Sequence, residues 1–143
     1  MKNRGFATFG LLALLTAGAA FAQSGPQSGA VMQADIPFAF HVGNNILPAG
    51  QYDVHPQVVP GVLSIRCQNC KAQATITTSP VSAKETPEAG KLVFHRYSET
   101  YFLSEVWTPG KMTARRVGIS EAEREMARNS SPTSPVEVAL RYH

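Results

Sequence analysis

Apolar residues recur at every second position through most of this chain, and that spacing constrains the fold more than any other feature. Ile36, Phe38, Phe40 and Val42 share one parity while Asp35, Ala39 and His41 take the other, the alternation of a strand with one buried face. This stretch is read as one strand. It ends at Gly43, Asn44 and Asn45, which tolerate positive φ and favour a tight reversal. Leu47, Pro48, Ala49 and Gly50 mark a second turn, and Tyr52 and Val54 open the next strand.

Punctuation continues at regular intervals. Pro60 and Gly61 precede Val62 to Arg66, Gln68 and Asn69 precede a run from Ala72 to Thr78, and Pro80 to Gly90 reads as a long polar loop. Lys91 to Tyr97 and Tyr101 to Trp107 are β-rich runs separated by Ser98, Glu99 and Thr100, which predicts a hairpin. Leu92 and Phe94 lie on one face of it, Val93 and Tyr97 on the other. A sheet covered on both faces, or closed on itself, accommodates that better than an open one.

One helix is expected, over 120–128. Ser120 with Glu123 three residues on forms a capping box, Glu121 and Glu123 occupy the first turn, and Arg124 and Arg128 lie toward the C-terminal end. Ile119, Ala122 and Met126 give it a narrow apolar stripe, suited to docking on the end of a sheet. Residues 129–143 read as a linker to Pro135 and a possible last strand, in which Val136, Val138, Leu140 and Tyr142 alternate. The expected architecture is mainly β: a single antiparallel β-barrel or β-sandwich of about 7–8 strands with one short C-terminal helix, spanning 31–128 with its helix.

Residues 1–22 carry Lys2 and Arg4, an apolar run from Phe6 to Ala19 and the small-x-small triplet Ala20, Phe21, Ala22. This is the pattern of a signal peptide cleaved between Ala22 and Gln23. A spanning helix needs about 20 consecutive apolar residues, whereas Thr16 and Gly18 interrupt this run and Gln23 to Ala30 form a polar, flexible segment. The expectation is an exported protein, periplasmic or extracellular, with no membrane span after signal cleavage.

Cleavage would leave 121 of the 143 residues, enough for one domain with a substantial core. It would also remove two of the 13 Lys+Arg, leaving 11 against 10 Asp+Glu. The net positive field that steers a protein to nucleic acid is then absent, and no nucleic-acid partner is expected. Arg115 and Arg116 remain as a local basic pair, read as solvated residues.

Three stretches carry a resemblance. Asp35 to Gly43 with Leu47 to Tyr52, Gly90 to Tyr97 with Tyr101 to Trp107, and Ser120 to Glu125 resemble the recurring segments of a group of small exported bacterial proteins, common in acidobacteria. The resemblance implies a β-rich exported domain without catalytic residues. Cys67 and Cys70 fall outside its pattern.

Cys67 and Cys70 have the CxxC spacing. In an oxidising compartment two cysteines spanning a tight turn are most simply a disulfide. A thiol oxidoreductase would start a helix at the pair, and the β-branched run Thr75 to Thr78 argues for a strand instead. Zinc would need two further ligands, with His41, His55 and His95 isolated in sequence, and haem attachment through Cys67-Gln-Asn-Cys70-Lys71 lacks a second motif. No cofactor or metal is expected.

No GxSxG, HExxH or phosphate-binding loop occurs, and no catalytic residue is assigned. His95 reads as a hydrogen-bonded histidine beside the core. It clusters with Tyr97, Tyr101, Phe102 and Trp107 on the hairpin, which could fill the core or form a ligand or interaction surface. The leading expectation is a non-enzymatic exported β-domain that binds a protein or small-molecule ligand, or is a structural part of the envelope. A small-ligand carrier with a cavity between the sheets and a redox protein using the CxxC are the alternatives.

Overall fold

The computed structural model describes residues 31–56 and 59–142; the leader 1–22 and the segment 23–30 lie outside the described residues. The strands are β1 (Met32–Ile36), β2 (Phe40–Val42), β3 (Asn45–Leu47), β4 (Gly50–Pro56), β5 (Val62–Cys67), β6 (Gln73–Ser82), β7 (Gly90–Tyr97), β8 (Thr100–Trp107), β9 (Thr113–Val117) and β10 (Val136–Tyr142), with α1 (Glu121–Asn129) before the last. Eight of them close into an antiparallel barrel in the order β8-β7-β10-β1-β4-β5-β6-β9. The ring shuts where Glu105 and Val106 of β8 pair with Arg116 and Arg115 of β9.

Period-two alternation places the core inside the ring. Met32, Ala34 and Ile36 of β1, Tyr52 and Val54 of β4, Leu63 and Ile65 of β5, and Leu92 and Phe94 of β7 are all buried there. An eight-stranded ring has room for little beyond side chains, and here aromatic rings occupy it. Phe40 meets Tyr52 edge-on at 5.2 Å and Phe94 at 5.5 Å, and Phe38 meets Phe94 at 5.1 Å.

The stretch expected as one strand from Asp35 to Val42 is two. Pro37 has no N–H for a ladder, so the chain leaves β1 after Ile36 and crosses to the far wall before β2 begins. There β2 and β3 form a hairpin around Gly43 (φ 59°) and Asn44, the reversal that positive φ calls for. This hairpin joins the ring in strand pairing through the parallel pair His41 and Phe102, and it sinks Phe40, Val42 and Leu47 into the core.

A second difference lies at Pro80, where the sequence implies a loop. Strand β6 runs on to Ser82, pairing with β9 beyond the point where its pairing with β5 stops, at Thr77 opposite Val62, the first residue of β5. Thr78 donates its N–H toward Gly61 on the β5 side, and Pro80, of the same parity, turns its missing donor to that vacant edge. The hairpin of β7 and β8, the capped helix and the last strand β10 form as the sequence implies.

Candidate functional site

Strand β8 departs from period two at one point. Phe94 pairs with Leu103 but Val93 pairs with Glu105, so Ser104 is the extra residue of a β-bulge. Leu103 and Val106, three apart, are therefore both buried in the core. Ser104 turns to the outer wall, where His95 and Phe102 already sit as a cross-strand pair. The bulge turns Glu105 outward as well, so that Val106 and not Glu105 faces the core.

Helix α1 brings the third member. Ser120 caps it, accepting from the Glu123 N–H at 3.2 Å, but the Glu123 carboxylate does not close the box on its own helix. It points into the barrel wall, 4% exposed. Glu123 Oε1 lies 2.6 Å from His95 Nδ1 and accepts from the Tyr97 hydroxyl at 3.3 Å. On its other side His95 Nε2 lies 3.0 Å from Ser104 Oγ.

A carboxylate only accepts, so Nδ1 carries a proton toward Glu123; in the neutral imidazole Nε2 is then the acceptor, and the Ser104 hydroxyl donates to it. The result is a line Ser104 Oγ–H to His95 to Glu123, with Ser104 6% exposed and the His95 side chain 37% exposed. Burial pushes the Tyr97 phenol above its ordinary value, and the charge of Glu123 and its hydrogen bond push the same way. Burial also lowers His41, whose ring stacks on Phe102 at 4.5 Å.

The docking of α1 corrects the expected apolar stripe. Ile119 is 55% exposed, Ala122 is exposed and Met126 is half-buried, while Glu123 is the buried residue of the helix. The linker after the helix is fastened to the same strand, as Thr133 donates to the Arg96 carbonyl from its N–H (2.9 Å) and its hydroxyl (3.1 Å).

The residues grouped in sequence as a surface divide. His95, Tyr97 and Phe102 share the outer wall, Tyr97 meeting Phe102 edge-on at 5.8 Å. Tyr101 lies on the core side, stacked on Phe38 at 3.8 Å. Trp107 is farther along the outer wall, its indole donating to Glu105 at 2.9 Å. It lies in an open cleft of about 410 Å³ with Lys84, Lys91 and Arg116, in which Lys91 pairs with Glu137 at 2.7 Å and Arg116 with Glu105 at 3.1 Å.

Cys67 and Cys70 lie at disulfide distance, their Cα atoms 5.3 Å apart. The pair sits at the turn from β5 to β6, where the Cys67 N–H donates to the Ala72 carbonyl at 2.9 Å. Beyond Cys70 the chain enters strand β6, with no helix start to acidify a thiol. Among the described residues no group of three or more His, Cys, Asp or Glu is placed to hold a metal ion, and no helix is long and apolar enough to cross a membrane.

Sequence reasoning does not single out Ser104 or Glu123 as site residues. The capping signal locates Glu123 on the helix but not its side chain on the wall, and the three-residue step from Leu103 to Val106 is the only trace of the bulge in the sequence. No family model, curated protein or solved structure matches the chain.

Proposed function

We propose that this chain is an exported β-barrel protein that acts through its outer wall, binding a protein or small molecule or serving as a structural part of the envelope. The observation that carries this reading is the filled bore. Phe40, Tyr52 and Phe94 pack edge to face where a carrier would hold its ligand, which counts against the carrier alternative. The Cys67–Cys70 pair, held between two strands, supports a staple over a redox centre, and a disulfide there agrees with export. The resemblance to small exported bacterial proteins points the same way.

Mass spectrometry of the protein recovered from the exported fraction tests the reading. Under denaturing conditions the expected mass begins at Gln23 and is lighter by two hydrogens; under native conditions it carries no additional small molecule. A retained leader would contradict export, and a stoichiometric ligand released on unfolding would restore the carrier. Reduction of insulin by the protein, lost in Cys67→Ser, would instead make the pair a redox centre.

A further inference from the structure

We propose that Ser104 is an activated nucleophile that transfers short, uncharged acyl groups from esters to water, with His95 as its general base and Glu123 as the residue that positions the base. The inference goes beyond the binding or structural role and does not depend on it. Its warrant is the ordered contact of three side chains brought from β7, β8 and α1: Ser104 Oγ to His95 Nε2 at 3.0 Å and His95 Nδ1 to Glu123 Oε1 at 2.6 Å. A hydroxyl gains nucleophilicity when a base can take its proton, and the base is effective when a third group holds it in the right tautomer. Both conditions are met by residues 9 and 28 positions from His95 in sequence.

The helix needs only Glu123 against His95 and Tyr97 to dock. A latch alone leaves the second contact unexplained, because it makes no use of a serine on the far nitrogen of the ring. Ser104 follows Leu103 on the outer face beside His95, and the β-bulge leaves it without a partner on β7, since Glu105 takes the place opposite Val93. The contact geometry falls within the range of a working nucleophile and base.

The surroundings set the substrate class. Ser104 shares its face with the buried rings of Phe102 and Tyr97, and 6% of it is exposed. Such walls take a short apolar acyl group and exclude a long or charged one. In the reaction Ser104 Oγ bonds to the ester carbonyl carbon as its proton passes to His95 Nε2. The carbon–oxygen bond to the alcohol then breaks, and the departing oxygen takes the proton from Nε2. Water reverses the sequence: it gives a proton to Nε2, its oxygen bonds to the acyl carbon, and Ser104 leaves with the proton.

The experiment uses the whole mature protein, with diisopropyl fluorophosphate as the covalent probe and p-nitrophenyl acetate as the ester. The expected result is one adduct, mapped by peptide mass to Ser104, with ester hydrolysis blocked by it; Ser104→Ala should show neither. In His95→Ala labelling should slow by about 10²-fold, as for loss of a general base, and added imidazole should restore part of the rate, a rescue that a structural histidine would not show. In Glu123→Gln the maximal labelling rate should fall while the probe concentration at half that rate stays unchanged. An unlabelled Ser104 in folded wild-type protein would overturn the proposal, as would equal labelling of folded His95→Ala. Should His95→Ala fail to fold, the comparison of wild type with Ser104→Ala still decides it.

Discussion

Replacing Glu123 by alanine tests how the helix is held. The carboxylate is the buried group of α1, and it accepts from a buried phenol and from an imidazole that is partly open to water. Its removal leaves the Tyr97 hydroxyl without its acceptor inside the wall, a cost of about 1–3 kcal/mol, while His95 can turn to solvent and recover much of its bond. No apolar stripe compensates, since Ala122 is exposed and Met126 only half-buried. A net loss of about 2–3 kcal/mol corresponds to roughly 8–12 °C in Tm for a domain near 120 residues. Thermal melts by circular dichroism measure that loss, and hydrogen exchange locates it, because amides of α1 should lose protection before those of β7 and β8. The isosteric Glu123→Gln keeps the cover and removes the charge. In that variant the Tyr97 phenol should titrate lower than in wild type yet still above its ordinary value, because burial is the largest cause of its shift. A loss under about 0.5 kcal/mol in Glu123→Ala, the range of ordinary surface changes, with α1 still protected, would refute the reasoning.

Three further perturbations probe the core, the staple and the buried phenols. Phe40→Ala removes the ring between Tyr52 and Phe94 and should cost about 3–5 kcal/mol in chemical denaturation; a loss under about 1 kcal/mol would mean that the β2–β3 hairpin does not plug the barrel. The double change of Cys67 and Cys70 to serine should cost about 2 kcal/mol through the short loop it opens, with the near-ultraviolet spectrum of the aromatic core unchanged. At high pH, Tyr52 and Tyr97 act together: burial raises both phenols above 10.0, so the folded state favours the neutral form. Their contribution is complete below pH 10 and is lost as the pH rises through the folded values, so the denaturation midpoint should fall above pH 10; removing either hydroxyl with Tyr→Phe should flatten the slope.

How far the sequence reveals this structure depends on whether a feature is local. The two-residue turn at Gly43 and Asn44, the β7–β8 hairpin, the cap at Ser120 and the alternation of Val136 to Tyr142 are written in short stretches, and each forms where its residues imply. Apolar parity continues across Pro37 and so suggests one strand, although the missing donor ends the ladder there. Pro80 misleads in the opposite direction: it suggests a loop, because its tolerance in a strand depends on the β5 pairing stopping short of it. Ring closure between β8 and β9 joins segments that share no local signal. The site lies deeper still: His95 is visible as a candidate, but its partners come from a serine on the facing strand and from a carboxylate that abandons its own helix. A charged residue in a capping position gives no sign that it will be buried, and the apolar stripe of Ile119, Ala122 and Met126 points to the wrong face.

The central claim is that Glu123 and Ser104 hold His95 between them with a proton on Nδ1. Long-range nitrogen–proton correlation spectra of the imidazoles, with His95 assigned by its loss in His95→Gln, measure this directly. The structure predicts a ring that carries a proton on Nδ1 toward Glu123, slowly exchanging and shifted upfield in Glu123→Gln. A ring protonated on Nε2 alone, or one averaging between the two tautomers and unaffected by Glu123, would contradict it.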